Sequence, residues 1–580
     1  MAQVELSPAD AERVARAEAW IAQDPDPETR DELVAIVEAV RRGDDAARAD
    51  LADRFDTRLA FGTAGLRGAI AAGPNRMNRV LVAQAAAGLA AYLLERAEPG
   101  EMPSIVIGYD GRKNSDVFAR DSAELMAGAG VRAVLLPRLL PTPVLAFAVR
   151  HLGASAGVMV TASHNPPDDN GYKVYLGGSS HGSQIVSPAD AEIAAHIERV
   201  AAERTVPDLP RGAYDTADES VVDAYVAATA AVASAPRSSA DGATRPAPRV
   251  VYTAMHGVGW ETFARVIDAA GFERPVVVDA QIAPDAAFPT VSFPNPEEPG
   301  AMDLSFARAR ETGADLVIAN DPDADRLAVA IPDIEAAEGW RRLTGNEVGL
   351  ILGWRAAEEA AARAAGDGGA EGTLACSIVS SPGLEAIARA YDLEFRGTLT
   401  GFKWISRAPG LVFGFEEALG YLVNPGTVRD KDGISAAVAF LDLATRLAAE
   451  GRTVADHLDA FVERFGCYAS GQISIRVTDL SQIARVMAAL RSDPPAAVGG
   501  IRVERIDDLA AGFGDLPPSD VLRLVLGGGG RVMVRPSGTE PKLKVYLDAV
   551  STDGTVEQRR AAAAATLAAL DAGMRALVEG

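Results

Sequence analysis

The sequence predicts an α/β protein built from recurring strand–helix units and closed by a smaller α+β segment. From "PSIVIGYD", Pro103 to Asp110, short β-branched runs alternate with Ala-rich stretches of helical spacing, the rhythm of βαβ units and mostly parallel sheets. A length of 580 residues exceeds what one core sustains and suggests about three to five domains. The last part abandons the rhythm: "GQISIRV", "GIRVERI" and "VLRLVLGGGGRVMVRPSGTEPKLKVYLDAV" set strands close together before one Ala-rich final helix.

Taken in order, the first sixty residues are predicted helical, since "PETRDELVAIVEAVRRGD" carries apolar positions at helical spacing with charges between them. "SAELMAGAGVRAVLL" reads as a helix leading into a strand, and "AGVMV", Ala156 to Val160, as a further strand. A helix is expected from Ser187 to Arg204, with Ser187 as its cap and Pro188 as its first helical position. The segment "SAPRSSADGATRPAP", Ser234 to Pro248, has the composition of an exposed loop. "RVVYTAMHG" then resumes the rhythm, and "ADLVIAN" and "LAVAI" flank an acidic loop as two short strands. A third unit runs from "LACSIVSS" through "LVFGF" to the helix "ISAAVAFLDLATRLAAE". The expected domain boundaries are 1–215, 216–345, 346–465 and 466–580.

Composition narrows the partners. A net charge of −24 disfavours a nucleic-acid backbone, which requires a concentrated positive surface. Local Arg and Lys residues can still bind phosphate in an acidic protein. The two cysteines, Cys376 and Cys467, form no CxxC and suggest a reducing compartment. No uninterrupted apolar run reaches the roughly 18 residues needed to cross a bilayer. The N-terminus lacks the basic-then-apolar pattern of a secretory signal. The expectation is a soluble cytoplasmic protein with neither a membrane nor a nucleic-acid partner; the sequence sets no oligomeric state.

"VMVTASHNPPDDNGYKVY", Val158 to Tyr175, ends an apolar strand in a polar loop. Ser163 in that loop reads three ways: a turn cap, a hydrolase nucleophile, or a serine that accepts and returns a phosphoryl group. The hydrolase elbow G-x-S-x-G is absent. His164 beside it can orient phosphate or move a proton near neutral pH, or serve only as a structural hydrogen-bonding group. Lys173, ten positions on, can be folded back over the same site by the "NPPDDNG" turn, or lie at the surface.

In "NDPDADRLAV" Asp321, Asp323 and Asp325 alternate ahead of Arg326. Three such carboxylates repel unless solvent or a cation offsets them, and Mg²⁺ prefers hard oxygen ligands. In an extended segment alternate side chains would point the same way. An Asx-rich surface turn is the alternative; the EF-hand glycine and distal glutamate are missing. "RPSGTEPKLKVY" supplies Arg535, Ser537, Gly538, Thr539 and Lys542, a forked donor, hydroxyls and a glycine that leaves backbone N–H groups open to phosphate. Its order is not that of a Walker A loop. "RLAFGTAGLRGAI" offers Arg67 on a Gly-rich turn, "GTLTGFKWI" offers Lys403, and "FGFEEALGYLV" offers Glu416 and Glu417, carboxylates able to accept hydrogen bonds from sugar hydroxyls. Each loop alone is compatible with ordinary turn chemistry.

Together, in the order "GTAGLRG", "TASHNPPDDNGYKVY", "DPDADR", "GFEEALG" and "RPSGTEPK", these motifs span most of the chain and resemble the α-D-phosphohexomutase family of phosphoglucomutases and phosphomannomutases. The resemblance implies four domains around a central cleft, three of similar mixed α/β architecture and a C-terminal α+β domain. It implies that Ser163 is the phosphoserine and that Asp321, Asp323, Asp325 and the serine phosphate bind Mg²⁺. Arg67, His164 and Lys173 would surround the transferred phosphate, with His164 and Lys173 as acid–base candidates, and Arg326 would support the metal loop. Lys403 and Glu416 would contact the sugar, while Arg535, Ser537, Gly538, Thr539 and Lys542 would hold the nonreacting phosphate. The implied activity is an isomerase acting through phosphoserine and a sugar 1,6-bisphosphate, which also primes the enzyme.

Glucose phosphate is the expected phosphosugar, interconverted between its 1- and 6-phosphates through glucose 1,6-bisphosphate, because "GFEEALG" resembles the glucomutase and pentomutase side of the family. Ala418 stands where many hexomutases have a hydroxyl-bearing serine, which leaves mannose and pentose phosphates as alternatives. A sugar phosphatase and a noncatalytic sugar-phosphate sensor are the competing functions.

Overall fold

The computed structural model describes residues 5–234, 247–336, 338–364, 371–477, 480–537 and 542–579. These fall into two compact units, one drawn from within 1–244, 248–341 and 424–439, the other from within 245–247, 342–423 and 440–580.

The first unit opens with three helices, Pro8–Gln23, Pro27–Arg41 and Asp45–Phe55. Each starts at a side-chain cap: Ser7 accepts from the Asp10 N–H, Asp26 from that of Glu28, and Asp44 from those of Ala46 and Ala47. Their apolar faces, including Trp20, Leu33, Val37 and Phe55, are buried in the same core as Leu66, Val158 and Tyr172 of the neighbouring sheet. At roughly 1.5–3 kcal/mol for each large side chain buried, this contact makes the N-terminal helices part of the domain that follows them.

That domain carries a seven-stranded sheet in the order Leu66–Ala69, Asp169–Leu176, Ala156–Val160, Ser104–Tyr109, Arg132–Leu135 and Asp215–Thr216, with Ser183–Gln184 paired to Asp169–Leu176. The central strand Ser104–Tyr109 runs parallel to both neighbours. Ala156–Val160 is buried at every position, as a parallel strand covered on both faces should be. It returns antiparallel into Asp169–Leu176, so residues 161–168 form a hairpin connection. The expected helix after this sheet spans Ala189–Glu203. Its cap is Pro188, with no side-chain cap bond, rather than Ser187; Asp190 and Glu192 in the first turn supply the negative charge that a helix N-terminus favours.

A five-stranded sheet follows, ordered Trp340–Arg342, Leu327–Pro332, Leu316–Asn320, Val250–Thr253 and Val276–Val277. Leu316–Asn320 lies parallel to Val250–Thr253 and antiparallel to Leu327–Pro332, with Asn320 opposite Leu327. The acidic residues 321–326 are therefore another hairpin return, as the two flanking strands predicted. Residues 424–439 add a loop and the start of the helix Gly433–Ala449.

The second unit contains a four-stranded sheet, Glu394–Thr398, Thr373–Ser377, Leu411–Glu416 and Gly420–Leu422, in which the last pairing is antiparallel and the others parallel. Beside it is an all-antiparallel six-stranded sheet, from Cys467–Arg476 through Lys542–Ser551, Arg531–Pro536, Leu522–Leu526 and Ile501–Asp508 to Ala497–Val498. The final helix Val556–Val578 buries Ala563 and sets Leu570, Met574 and Val578 in the core of this sheet. It is the one helix among the described residues long and apolar enough to cross a membrane by length and composition, with a mean hydropathy of 1.4. Much of that apolarity is alanine, and its larger side chains at helical spacing form the stripe that meets the sheet. The predicted loop at 234–248 lies mostly outside the described residues.

One glycine backs the acidic hairpin directly. A Cβ on Gly257 would fall 2.2 Å from Pro322 Cα and 2.3 Å from Pro322 O, and the neighbouring Val258 N–H donates to that carbonyl at 2.8 Å. Both contacts are backbone, so neither can rotate away. We expect Gly257→Ala to destabilise the protein by about 1–3 kcal/mol through overpacking, read as a lowered thermal midpoint; an unchanged midpoint would show that the hairpin is not held by this approach.

Candidate active site

Ser163 is fixed by the way its strand ends. Past Val160 the chain turns: the Ser163 N–H donates to Thr161 Oγ1 at 2.8 Å, the Asn165 N–H donates to the Ala162 carbonyl at 3.0 Å, and Ser163 adopts a left-handed φ of 52°. Its residue surface is only 2% exposed. Ser163 Oγ lies 2.9 Å from Asp321 Oδ2 and 3.2 Å from His164 Nδ1. Burial, reinforced by Arg326 and Arg67, holds the His164 imidazole well below the usual histidine range, so it is neutral at pH 7.

Asp321, Asp323 and Asp325 are all fully buried, each offering an oxygen within 4.8 Å of the others. The segment is a turn rather than an extended run, so a turn and not strand alternation brings the carboxylates together. Ala324 takes a left-handed φ of 56° and donates its N–H to the Asp321 carbonyl at 2.8 Å. Alternate residues of a strand stand about 6.6 Å apart, and the turn brings the carboxylates closer than that. Cations hold them there. Lys173, from the strand Asp169–Leu176, places Nζ 2.8 Å from Asp323 Oδ2 and 2.9 Å from Asp325 Oδ2, reaching the acidic loop rather than the serine. Thr142 donates Oγ1 to Asp323 Oδ2 at 2.6 Å. The Arg326 N–H donates to Asp321 Oδ1 at 3.0 Å, and its Nε stands 4.0 Å from Asp321 Oδ2. Arg67, paired opposite Gly171, extends Nη1 to Asn165 Oδ1 at 3.3 Å.

Burial and the two neighbouring carboxylates push Asp321 well above the ordinary carboxylate range. Burial also acts against the charge on Asp325, but Lys173, Lys431 and Arg326 outweigh it and hold that carboxyl low. Burial opposes the charge on Lys173 too, and Asp323 and Asp325 more than compensate, raising it. Asp323 Oδ1 and Asp325 Oδ1 are buried without a hydrogen-bond partner. Two orphaned carboxylate oxygens in a cluster of three hard ligands fit a divalent cation.

Three contributors escaped the sequence reading. Lys431 Nζ lies 3.3 Å from Asp325 Oδ2. Its loop is pinned on both sides: Asp430 accepts from Tyr175 Oη at 2.9 Å and from Gln184 Nε2 at 2.8 Å, and Asp432 accepts from Tyr225 Oη at 3.0 Å while capping the helix that follows through the Ile434 and Ser435 N–H groups. The run "RDKDG" immediately before a helical stretch was the available signal. Thr142 starts a helix after "LLP" and carried none. Arg112, in "YDGR" just past the strand Ser104–Tyr109, donates to the Ser163 carbonyl at 2.6 Å.

In the second unit, Lys403 sits in the short helix Phe402–Ile405, with Nζ 6.0 Å from the Trp404 ring and its carbonyl accepting from Arg407 Nη1 at 2.7 Å. Glu416 ends its strand opposite Gly420. Its neighbour Glu417 is committed to the fold, accepting from Ser377 Oγ at 3.1 Å and Ser380 Oγ at 2.8 Å. Arg535 Nη1 donates to Thr400 Oγ1 at 2.7 Å, tying its loop to the segment that precedes Lys403. Burial and the charges of Glu417 and Glu416 raise the Tyr546 phenol, with Arg535 opposing, so these four groups share one neighbourhood. The Ser537 N–H donates to the Lys542 carbonyl at 2.8 Å and closes the base of the hairpin; Gly538 and Thr539 lie outside the described residues.

Four family models match in order: the phosphoglucomutase/phosphomannomutase alpha/beta/alpha domains I, II and III over residues 58–204, 223–334 and 344–465, and the C-terminal domain over 473–566. A Haemophilus influenzae protein named "Probable phosphomannomutase" is 55% identical over 86% of this chain and 97% of its own length. The Homo sapiens "Phosphopentomutase" is 35% identical, with 86% of each chain covered. The crystal structure of a phosphoglucomutase/phosphomannomutase family protein from Burkholderia thailandensis superposes with a TM-score of 0.67 at 19% identity, covering 90% of this chain and 97% of that one, a likeness of fold. The fold and its matches define a four-domain enzyme, three similar α/β domains and a C-terminal α+β domain, of the phosphohexomutase class of isomerases. The chain belongs to the phosphoglucomutase/phosphomannomutase family.

The Lys431 loop gives a test through pH. Burial pushes the Asp432 carboxyl up to about 6 from its ordinary 3.8. Between those values the folded protein binds the proton more tightly than the unfolded chain, so this group's contribution to stability falls as pH rises through the window and stays low above it. Asp432→Asn keeps a capping side chain and is free of this effect. Its stability relative to wild type should therefore rise by about 2–3 kcal/mol from pH 4 to pH 7, measured by urea denaturation at both; a constant difference would rule out a buried, titrating Asp432.

Proposed function

We propose that the protein is a phosphoserine-dependent mutase that interconverts the 1-phosphate and the terminal phosphate of an aldose, with mannose phosphate as its first substrate and a pentose phosphate as its second. The observation that carries the chemistry is Ser163 Oγ, 2.9 Å from an oxygen of the buried acidic cluster and 3.2 Å from a neutral imidazole. The sugar assignment is supported by the 55% identical relative named for phosphomannose, which displaces the expectation of glucose. The pentose reading is supported by the relative named phosphopentomutase and by Ala418, which offers no hydroxyl to a sugar.

In the forward half-reaction a sugar hydroxyl attacks phosphoserine. The P–O bond to Ser163 Oγ breaks, a P–O bond to the sugar oxygen forms, and the hydroxyl proton ends on Ser163 Oγ. His164, kept neutral and within reach of that oxygen, is our candidate to hold and deliver the proton there. The charged Lys173 and Arg67 stabilise the transferring phosphoryl, and Arg326 steadies the acidic loop. Asp321, Asp323, Asp325 and a phosphate oxygen on Ser163 would hold Mg²⁺, which supplies charge stabilisation to the phosphoryl group when bound. The resulting sugar bisphosphate reverses end for end, and its other phosphoryl returns to Ser163; the same bisphosphate primes a dephosphorylated enzyme.

Recognition falls to the second set of residues. Glu416 accepts sugar hydroxyls beside a Glu417 already occupied by two serines. Lys403 supports the sugar loop, and Arg535, Ser537, Gly538, Thr539 and Lys542 receive the nonreacting phosphate. We propose a cytoplasmic location, a reading that rests on a sequence with only two cysteines and no CxxC pair.

The wild-type enzyme, given Mg²⁺, a trace of sugar 1,6-bisphosphate and separate mannose, ribose and glucose 1-phosphate pools, should form mannose 6-phosphate fastest and the pentose product next. Preferential glucose 6-phosphate would keep the mechanism and reverse the sugar. Steady release of inorganic phosphate without isomerisation would make the protein a phosphatase. Ser163→Ala should lose at least about 10³-fold in kcat at an unchanged thermal midpoint; wild-type turnover in that variant would sink the phosphoserine assignment.

Metal binding has its own readout. Millimolar Mg²⁺ should raise the thermal midpoint of the wild type, because a ligand bound only to the folded state stabilises it, and should leave Asp323→Asn unmoved. Equal shifts in the two proteins would place the cation elsewhere.

A further inference from the structure

Arg112 lies at the end of the strand Ser104–Tyr109, and its side chain is 1% exposed. Its Nη2 donates to the carbonyls of Ser163 and Asn165, both at 2.6 Å, and its Nη1 to those of Pro166 at 2.8 Å and Asp169 at 3.2 Å. Nε stands 3.4 Å from Asp110 Oδ2, and Asp110 is itself fixed by the Arg112 N–H at 3.0 Å and the Ser115 hydroxyl at 2.6 Å. The remaining face of the guanidinium lies 4.9 Å from the centre of the Phe288 ring.

We infer that Arg112, clamped between Asp110 and Phe288, is the positioning residue that sets Ser163 for phosphoryl transfer. Four carbonyls of one loop, from Ser163 to Asp169, converge on a single planar cation, so the loop is drawn around a rigid template rather than around its own turn bonds alone. Ser163 needs such a template because its left-handed φ of 52° is unfavourable for a residue with a side chain. The arrangement also has a direction. In a trans peptide the C=O and N–H point opposite ways, so a Ser163 carbonyl turned onto Arg112 turns the His164 N–H to the other side of the loop. Arg112 thus orients a backbone donor next to the serine without meeting the substrate.

Phe288 makes the template a joint between two domains. It belongs to the segment after the strand Val276–Val277, which packs onto the turn bearing Arg112 closely enough that a Cβ on Gly111 would lie 3.1 Å from Pro284 Cβ. The segment is anchored at His256, whose N–H donates to the Gln281 carbonyl at 2.8 Å, whose carbonyl accepts from the Asp285 N–H at 3.0 Å and whose Nε2 meets Thr290 Oγ1 at 2.7 Å. Further along, Phe293 packs against the His164 ring at 6.2 Å. One segment of the acidic-loop domain therefore touches both Arg112 and His164, and the relative position of serine and carboxylate cluster is fixed through it.

The inference rests on the mutase reading, and its test separates the two. Arg112→Lys retains the charge but not the planar fork. With the best phosphosugar of the panel it should lower kcat by about 100-fold, the effect of a misplacement near 1 Å, with KM within about threefold of wild type. Amide hydrogen exchange across residues 161–170 should quicken by at least about tenfold, while the rest of the sheet keeps its protection. Phe288→Leu, which leaves the four hydrogen bonds and removes the stacked face, should show the same split at about three- to tenfold in kcat. A folded Arg112→Lys enzyme with kcat within threefold of wild type, or with unchanged exchange in the loop, overturns the proposal. Should Arg112→Lys not fold, Phe288→Leu decides, and unchanged kcat with unchanged exchange overturns it. If the wild type turns over no phosphosugar, the mutase reading fails by itself, and the exchange comparison still decides whether Arg112 orders the loop.

Discussion

Three carboxylates buried within 4.8 Å of one another are the constraint on which the catalytic half of the molecule depends. Like charges at that distance in a medium of low polarity repel strongly, and desolvation adds to the cost. The fold answers with charge and shape. Lys173 arrives from one sheet, about 150 positions before the cluster, and Lys431 from the loop before a later helix, about 100 positions after it, and the two converge on Asp325 Oδ2. Thr142 and the Arg326 backbone occupy further lone pairs, and a glycine behind the hairpin allows the main chain close enough to hold the turn. What these partners leave open, two buried carboxylate oxygens, could hold a divalent cation. The local packing around the cluster can be read as the set of contacts that keep it folded despite that repulsion.

The topology shows why serine and carboxylates meet. Both reactive loops are hairpin returns: each follows a strand that runs parallel to a neighbour in its own sheet, and each reverses into an antiparallel strand that carries the chain back. Such returns place polar residues beyond the C-terminal ends of parallel strands, where open α/β sheets present their functional groups. A hairpin also fixes both ends of the loop, which a crossover to a helix would not. The left-handed residues Ser163 and Ala324 fit this reading, since each sits at the sharpest point of a return whose ends are already fixed by strand pairing.

How much of this was legible in the sequence depended on whether the signal was local. Strand positions, the flanking of the acidic loop and the N-terminal helices were visible because apolar periodicity and turn residues are properties of short windows. The serine and the three aspartates were visible because their chemistry is concentrated in a few consecutive residues. The shape of the acidic loop was not legible: alternation in sequence leaves an extended segment and a turn both open, and it is a single left-handed alanine that makes the turn, a residue with no turn signal of its own. Ser187 was misjudged as a cap for a related reason, its neighbour Pro188 taking that place. Arg112, Thr142 and Lys431 were missed because their meaning is purely tertiary. Nothing in "YDGR" says that its arginine will be enclosed by carbonyls more than 50 residues away.

The paired glutamates separate folding from recognition within two adjacent residues. Glu417 spends one carboxylate oxygen on two serine hydroxyls, and a Cβ on Gly345 would fall 1.8 Å from its carbonyl, so its position is set by the core. Glu416 stands one residue earlier, at the end of the strand Leu411–Glu416 and opposite Gly420. A Glu417 held by the core therefore fixes the main chain from which Glu416 projects. The next residue, Ala418, adds no polar group, so under the sugar-binding role proposed for Glu416 selectivity in this loop would rest on what one carboxylate can distinguish. A single acceptor discriminates weakly between sugars that differ at one hydroxyl, because a missing contact leaves only one buried group unsatisfied. Under the proposed mutase reading, such a loop would admit several aldose phosphates, and their rank would depend on more than this carboxylate.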